Sequence, residues 1–305
     1  MLLVLTVRSV GWADVQASIS AIGWWYVAVI VLAGIRFGLR SAAWVSCAAA
    51  PELKLRRAFA ATIAGDALGN VTPLGVLASE PTKAYFVSDR LSPVAAVSSI
   101  AAENAFYTAS VLVMIGAGAL TFFTLADLPQ GLRLGAQLVL AAVIVGGAIG
   151  VWVLRRQPAF LSTLARAVAQ WSGRVATAPD RLREIEAHFY AMLTWPISRI
   201  ARVVWWEALF HVAAVAEVYL VLRLLPAGRA ITLVDAFVLE TTGRLITVAF
   251  KFVPYRLGID EAGSAVVARA LAIDPALGVA LALVRKLRIL WWNALGLVLL
   301  AAKRS

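Results

Sequence analysis

The chain has 305 residues, of which 62% are hydrophobic against roughly 45–50% in soluble domains, and 15% are charged. So few charges cannot cover the surface of a soluble fold of this size, so the composition excludes that class and predicts an all-α, polytopic membrane protein. The formal net charge of +11 indicates cytoplasmic loops that face anionic lipids, not nucleic-acid binding.

Long apolar runs predict the membrane spans, because a bilayer core of about 30 Å needs about 20 apolar residues per helix. Residues 1–7 are too few to span and are expected to be the stub of a first helix. Spans are predicted over residues 24–46, 93–125, 134–154, 203–225 and 275–302. Basic residues at 54–57 and 303–304 follow alternate spans, so the C-terminus is expected in the cytoplasm.

Residues 155–202 form a strongly basic segment between two spans, which predicts a cytoplasmic location. Within this segment, residues 160–171 place apolar side chains at helical spacing between basic ones, as in a helix that lies in the membrane interface. The whole chain, residues 1–305, is expected to form a single transmembrane domain that includes this segment.

Two interrupted stretches resemble each other. The first contains Phe59, Gly65-Asp66, Pro73, Glu80, Ser92-Pro93 and Glu103. The second contains Phe237, Gly243-Arg244, Pro254, Glu261, Asp274-Pro275 and Arg285. Four of the spacings coincide, and an odd number of predicted crossings separates the copies. The sequence therefore predicts an inverted-topology repeat, over about 24–124 and 203–302.

Each copy is expected to carry a broken, re-entrant helical hairpin, at about 58–90 from the cytoplasm and 236–272 from outside. Gly, Pro and charge interrupt both stretches, and broken backbone is tolerated only inside protein or beside a water-filled cavity. In transporters with inverted repeats, such elements make the binding site. Ser92 and Asp274, each followed by Pro, are predicted N-caps of the next helices.

Ionisable side chains at membrane depth are functional candidates, because each costs about 2.5–3.5 kcal/mol even on the insertion scale. The repeat sets Asp66 against Arg244 and Glu103 against Arg285, and such pairs could simply neutralise each other. Basic residues outnumber acidic ones there, which favours a cavity for an anionic headgroup, since Arg binds phosphate with two hydrogen bonds.

Several other residues in the predicted spans need an interpretation. Arg36 lies deep in its span, whereas Arg40 is expected to reach the cytoplasmic surface. Glu207 and His211, four residues apart, are expected to form a buried polar pair, and no third ligand completes a metal site. The tryptophans at 291–292 are interpreted as part of an interfacial belt. We expect neither a metal nor a cofactor.

The chain resembles the flippase-like family that includes the transmembrane region of lysylphosphatidylglycerol synthases. The resemblance rests on Gly65-Asp-Ala-Leu-Gly-Asn-Val-Thr-Pro-Leu-Gly75, Ser79-Glu-Pro-Thr-Lys83, Ala102-Glu-Asn104, Val253-Pro-Tyr-Arg-Leu-Gly-Ile-Asp-Glu261 and Arg285, and it covers the chain from about residue 24. It implies a substrate-site role for Asn70, Pro73, Glu80, Lys83, Glu103, Pro254, Gly258, Glu261 and Arg285. The charge pattern and the motif neighbours add Asp66, Asn104, Arg244, Arg256 and Arg288 to the candidate substrate-binding residues.

The resemblance also implies a multi-pass protein of the bacterial inner membrane that moves an anionic or amphiphilic lipid between leaflets. Where the family often has Gly, this chain has Tyr255 and Arg256, which changes the expected headgroup contacts. Stand-alone members with similar sequences accompany hopanoid or glycolipid pathways, and the residues of these motifs favour hopanoids.

The leading hypothesis is therefore a lipid flippase, not an enzyme, working by alternating exposure of a basic cavity. No nucleotide-binding loop is present, so an ion, proton or lipid gradient would drive it, with Glu80, Glu103 and Glu261 as candidate proton carriers. Two alternatives remain open: a transferase acting on a lipid-linked substrate, and a non-transporting partner that recruits lipid-biosynthesis enzymes through residues 155–202. The identity of the lipid and the oligomeric state are left open by the sequence.

Overall fold

A computed structural model describes residues 20, 22–48, 50–72, 75–124, 128–159, 162–163, 178–226, 228–250 and 253–304. In this part of the chain there are ten α-helices and no strand, so the predicted all-α class is confirmed. The predicted stub at residues 1–7 and nearly all of the predicted interfacial helix at 160–171 lie outside the described residues.

The helices follow the predicted spans and interruptions closely. They are α1 Tyr26–Ala48, α2 Leu55–Val71, α3 Gly75–Phe86, α4 Pro93–Thr124, α5 Gln130–Arg156, α6 Ala178–Tyr190, α7 Ile197–Leu224, α8 Leu233–Ala249, α9 Ile259–Ala270 and α10 Pro275–Arg304. Among the described residues, α1 (with the short turn before it), α4 and α5 are long and apolar enough to cross a membrane. The predicted spans at 203–225 and 275–302 fall on α7 and α10, which are long enough but carry more charge.

The side chains on the outside of the bundle are apolar, as a lipid-facing surface requires. In α5 only Ala136 is buried, while Ile144 and Trp152 are more than half exposed. The core lies instead between α7, α8 and α10, where Val218, Leu239 and other aliphatic side chains pack together.

Serine and aspartate cap the two helices that follow the interrupted stretches. The Ser92 hydroxyl accepts a hydrogen bond from the Ala95 amide at 3.2 Å, and the Asp274 carboxylate accepts one from the Ala276 amide at 2.9 Å. Both predicted N-caps are thus confirmed, and each leaves a proline at the first helical position, where no amide hydrogen is needed.

Helices α2 and α3 form an antiparallel hairpin whose two outer ends meet. Arg57 in the first turn of α2 donates to Asp89, just after α3, at 2.5 Å, and Lys303 near the end of α10 donates to the same carboxylate at 3.1 Å. At the inner end Gly75 approaches the Gly69 carbonyl so closely that a Cβ would not fit. The hairpin therefore starts and finishes on the side where α10 ends.

Helices α8 and α9 form a second hairpin that is closed in the same way. Arg229, before α8, donates to Asp235 in its first turn at 2.8 Å and to the carbonyl of Leu271, after α9, at 2.9 Å. At the inner end a short turn, Pro254–Arg256, places Tyr255 and Arg256 at φ values of 53° and 46°. A non-glycine residue rarely adopts this left-handed region.

Helices of the first half of the chain pack against helices of the second half. Helix α2 lies against α10, α8 lies against α4, and α1 lies against α7. Gly118 of α4 meets Thr241 of α8, and Gly296 of α10 meets Ile63 of α2. Ile63 and Thr241 each stand two residues before the glycine of their own hairpin. The inverted-topology repeat itself stays a prediction.

Candidate functional site

A cavity of about 210 Å³ lies between the two hairpins and helices α1, α4, α7 and α10. Its charged lining residues are Arg36, Arg40, Arg244, Arg256, Arg285, Arg288, Asp66 and Asp260. Among the described residues, six arginines thus face the cavity against two aspartates. Aromatic walls are supplied by Phe37, Tyr107, Phe210 and Trp292.

Glu217 of α7 holds two of these arginines from behind the cavity wall. Its side chain is 1% exposed, Arg36 donates to it at 2.8 Å, and Arg288 forms a second, close ion pair with its other oxygen. Arg36 comes from α1 and Arg288 from α10, so three helices meet at one carboxylate. We call this set the Glu217 triad; one negative charge serves two positive ones.

Glu240 of α8 holds two more arginines in the same manner. Its side chain is 0% exposed, Arg244 donates to it at 2.8 Å from the next turn, and Arg285 of α10 forms a second, close ion pair. Arg244 also donates to the hydroxyl of Tyr107 at 3.0 Å. This Glu240 triad again leaves one positive charge unbalanced within the triad, beside the same cavity.

Guanidinium donors remain free in both triads. Arginine has five N–H donors, and within the described part of the chain the buried Nε of Arg36 and Nη2 of Arg244 have no hydrogen-bond partner. An unsatisfied buried donor costs about 1–3 kcal/mol, so a side-chain movement that brings these two donors to an acceptor in the cavity is favourable. The arrangement suits an anion with several oxygens.

Arg40 and Glu103 form a bidentate ion pair between α1 and α4, with nitrogen–oxygen distances of 2.9 and 3.2 Å. Arg40 also lies 3.4 Å from the Asn104 side-chain oxygen and 4.0 Å above the ring of Tyr107. The expectation that Arg40 reaches the cytoplasmic surface is wrong, because its side chain is only 13% exposed and is held by Glu103. Glu103 and Asn104 do not line the cavity.

In the first hairpin, Lys83 lies close to two acidic candidates, Asp66 and Glu80. Its ammonium lies 3.3 Å from Glu80 and 3.8 Å from Asp66, and the residue is 4% exposed. Asp66 and Asn70 line the cavity, whereas Glu80 and Lys83 do not. The remaining candidate of this hairpin, Pro73, lies outside the described residues.

In the second hairpin, Glu261 is a fully buried partner of Lys286, at 2.9 Å. It also accepts the Gly258 amide at 2.8 Å, and Gly258 adopts φ +84°, which glycine tolerates best. Arg256 lies 3.3 Å from Asp260, and both line the cavity, whereas Gly258 and Glu261 do not. Pro254, the other candidate of this motif, begins the turn at the hairpin tip.

The neutralising pairs suggested by the repeat do not form. Arg244 and Arg285 both bind Glu240 instead of Asp66 and Glu103. The predicted pairing of Glu207 with His211 is also absent, since the Nε2 atom of His211 is 2.9 Å from the Ser110 hydroxyl. The described residues contain no group of three or more His, Cys, Asp or Glu side chains suited to a metal.

Asn293 of α10 connects the tips of both hairpins on the cavity wall. Asn70 donates to the side-chain oxygen of Asn293 at 3.1 Å, and Asn293 donates to the hydroxyl of Tyr255 at 3.2 Å. We call these three residues the tip latch. Beside the latch, Trp292 is 8% exposed and packs on Phe37, so its interpretation as an interfacial belt residue is wrong.

Sequence reasoning left several of these residues outside the candidate set. Glu217 and Glu240 are isolated acids in apolar helices, a signal that was available because charge at membrane depth is costly. Tyr107 and Asn293 carry no such signal, since neutral polar side chains are common in helices of this kind. Their role is visible only from the packing of α4 and α10 against the hairpins.

The comparisons with known proteins agree with the resemblance noted in the sequence. A family model described as the lysylphosphatidylglycerol synthase TM region matches residues 1–296, which extends the resemblance to the first residue. Neither the curated proteins nor the solved structures gave a significant match.

Proposed function

Because the chain belongs to the family defined by the transmembrane region of lysylphosphatidylglycerol synthases, a family of multi-pass membrane proteins, we propose that it transports a lipid with an anionic headgroup between leaflets. In this proposal the chain moves the lipid unchanged and catalyses no reaction. The bacterial inner membrane is the proposed location, with residues 54–57 and the end of α10 on the cytoplasmic side.

One observation carries the proposal: two glutamates behind a single cavity each hold two arginines. The Glu217 and Glu240 triads each have a net charge of +1, and free guanidinium donors remain beside the cavity. Arginine binds phosphate through paired, charge-assisted hydrogen bonds, which are about twice as strong as neutral ones. A lipid phosphate is therefore the group that best matches this wall.

The hairpins supply a way to expose the cavity alternately. Each hairpin has its outer ends tied together, by Arg57 with Asp89 in one case and by Arg229 with Leu271 in the other. Their tips meet at the tip latch. Rocking of one unit against the other about a fixed binding site is how inverted-repeat transporters work, and we infer the same motion here.

Reconstitution into liposomes tests this function. The purified protein is incorporated into vesicles that contain fluorescent phosphatidylglycerol, phosphatidylcholine or a neutral glycolipid, and leaflet exchange is followed by dithionite quenching. We expect the protein to accelerate exchange of phosphatidylglycerol. Arg285→Ala should slow this exchange about tenfold or more, because a hydrogen bond to a charged group contributes about 1.5–3 kcal/mol.

Arg183→Ala is the matched control, since Arg183 lies on the exposed face of α6 and should leave the rate unchanged. Exchange of every lipid at the rate of protein-free vesicles would rule out transport. Equal acceleration of the neutral glycolipid would rule out the anionic headgroup. Formation of a new lipid from added donors without leaflet exchange would favour the transferase alternative.

A further inference from the structure

Glu207 of α7 is a buried acid that the ion-pair network leaves out. The residue is 2% exposed, and the Ser110 hydroxyl lies beside its carboxylate, but among the described residues neither oxygen forms an ion pair or accepts a hydrogen bond of normal geometry. The other buried acids of the described part of the chain all have a polar partner. They are Glu103, Glu186, Glu217, Asp235, Glu240 and Glu261.

The three acids expected from the sequence to carry protons are instead held by cations. Glu80 lies 3.3 Å from Lys83, Glu103 lies 2.9 Å from Arg40, and Glu261 lies 2.9 Å from Lys286. Each of these three carboxylates therefore already has a positively charged partner, whereas Glu207 forms no ion pair with a described residue.

Several charged or titratable groups surround Glu207. Arg40 and Cys47 of α1, Glu103 of α4 and Arg244 of α8 are near enough to interact with Glu207 electrostatically. His211 follows one turn later on the same helix. On the side of α7 that faces α10 lies Glu217, which forms an ion pair with Arg288. Arg40 and Arg244 also line the cavity, so the field at Glu207 depends on what the cavity contains.

Polar side chains lie between Glu207 and the cavity, and an apolar cluster lies in another direction. The His211 ring is 2.9 Å from the Ser110 hydroxyl, which donates to the Tyr107 carbonyl at 2.8 Å, and Tyr107 lines the cavity. The apolar cluster contains Ala43, Cys47, Ala102, Met192 and Val203.

We propose that Glu207 is a proton-binding site that exchanges protons with the cavity through His211 and Ser110, and that proton binding there is coupled to anion binding. A proton adds to one carboxylate oxygen and gives a neutral acid, which an apolar environment tolerates far better than an unpaired carboxylate. The same proton leaves when the carboxylate forms again.

The coupling follows from Arg40 and Arg244. With the cavity empty, burial favours the neutral acid, while the positive charges of Arg40 and Arg244 keep part of the Glu207 population ionised. An anionic headgroup bound on these arginines cancels their field, so Glu207 takes up a proton as the anion binds. Lipid and proton then move together in the same direction. This coupling rests on the proposed function, whereas the proton-binding site itself does not.

Infrared spectroscopy tests the proton-binding site without any ligand. At neutral pH the purified protein should show the carbonyl stretching band of a neutral carboxylic acid. Glu207→Gln should remove this band, and Glu207→Asp should shift it. Glu184→Gln, which removes an exposed carboxylate of α6, should leave it unchanged. A spectrum of Glu207→Gln identical to that of the wild type in this region would overturn the assignment.

Proton uptake on lipid binding tests the coupling. Dihexanoylphosphatidylglycerol, whose phosphodiester stays ionised throughout, is added to weakly buffered protein with a pH indicator dye. The wild type and Glu184→Gln should take up a fraction of one proton per bound lipid, equal to the fraction of Glu207 that is ionised before binding, and Glu207→Gln should take up none. The wild-type affinity should fall by up to about tenfold per pH unit as pH rises, and that of Glu207→Gln should stay constant.

The outcomes separate the two proposals. Lipid binding by the wild type without proton uptake would overturn the coupling and leave lipid transport standing. Failure of the wild type to bind the lipid would overturn both the coupling and the proposed anion site, while the infrared band still decides whether Glu207 binds a proton.

Discussion

Asn70 donates a hydrogen bond to Asn293 at 3.1 Å, although 223 residues separate them in the chain. Asn70 belongs to the first hairpin, and Asn293 in turn donates to Tyr255 at the tip of the second. One amide side chain on α10 therefore ties both hairpin tips to the cavity wall. Neither tip moves away from the cavity unless one of these bonds breaks.

Asn293→Ala should open the cavity more often. Each hydrogen bond contributes about 1 kcal/mol net, so loss of two shifts the equilibrium by about tenfold or more. The measurement is the rate at which a membrane-impermeant maleimide labels Thr247→Cys, a cavity-lining position, in a Cys47→Ser background. Asn104→Ala, which leaves the tip latch intact, serves as the control. Equal labelling rates with and without Asn293 would contradict a closing role.

Glu240→Gln should destabilise the protein strongly. It leaves Arg244 and Arg285 without their shared carboxylate, and an uncompensated buried charge costs about 3–5 kcal/mol. We expect a large drop in the melting temperature in detergent, partly restored by a short-chain anionic lipid. Asp89→Asn is the comparison, since its ion pair with Arg57 is exposed on both sides and should contribute about 1 kcal/mol or less. A similar drop for both variants would count against the triad.

Ala272→Gly should stabilise the protein. Ala272 follows α9 with φ +55°, where a Cβ costs about 1–2 kcal/mol. Glycine removes this strain, and its greater freedom in the unfolded chain takes back about 0.4–1 kcal/mol, so a small net gain remains. Ala262→Gly, inside α9, should instead cost about 1 kcal/mol. Thermal unfolding of both variants checks the sign, and a lower melting temperature for Ala272→Gly would refute the strain argument.

The ion pair of Asp89 should make a small contribution to stability that depends on pH. Hydrogen bonds from Arg57 and Lys303 hold the pKa of Asp89 well below its usual range. Its stabilising effect is therefore full above the unfolded-state pKa of about 3.9 and is lost as pH falls below that value. Asp89 is 42% exposed, so the effect is limited to about 1 kcal/mol or less.

Unfolding of Asp89→Asn and of the wild type at several pH values measures this contribution. The difference between them should be present at neutral pH and should shrink in acid. Glu52→Gln, which removes an exposed carboxylate from the nearby loop, is the control and should show no such difference. A difference that grows as pH falls would contradict the assigned sign.

Local signals in the sequence were sufficient for most of the described helices, but α6, Ala178–Tyr190, was not predicted. Run length located the spans, the Ser92 and Asp274 caps followed from the prolines behind them, and Gly with Pro marked the hairpin interruptions. The i, i+4 spacing of Glu240 and Arg244 was also available and would have identified one ion pair.

The same signals did not predict which side chains of different helices contact each other. Spacing along a helix gives depth and face, but it does not say which distant helix a face meets. The repeat suggested Arg285 beside Glu103, whereas the rotation of α10 turns Arg285 towards Glu240. Trp292 was misplaced for the same reason, because the side of α10 that carries it packs on Phe37 instead of facing lipid.

The Arg36–Glu217 pair also has a consequence for biogenesis. Arg36 enters the membrane with α1, but its carboxylate is encoded 181 residues later. At about 5–20 residues per second, a ribosome needs on the order of 10–40 s to deliver it. During that interval α1 carries an uncompensated guanidinium, so we expect it to stay beside the insertion machinery or another polar surface until α7 arrives. Helix α1, although made before α7, would then be among the last helices to reach its final position in the membrane.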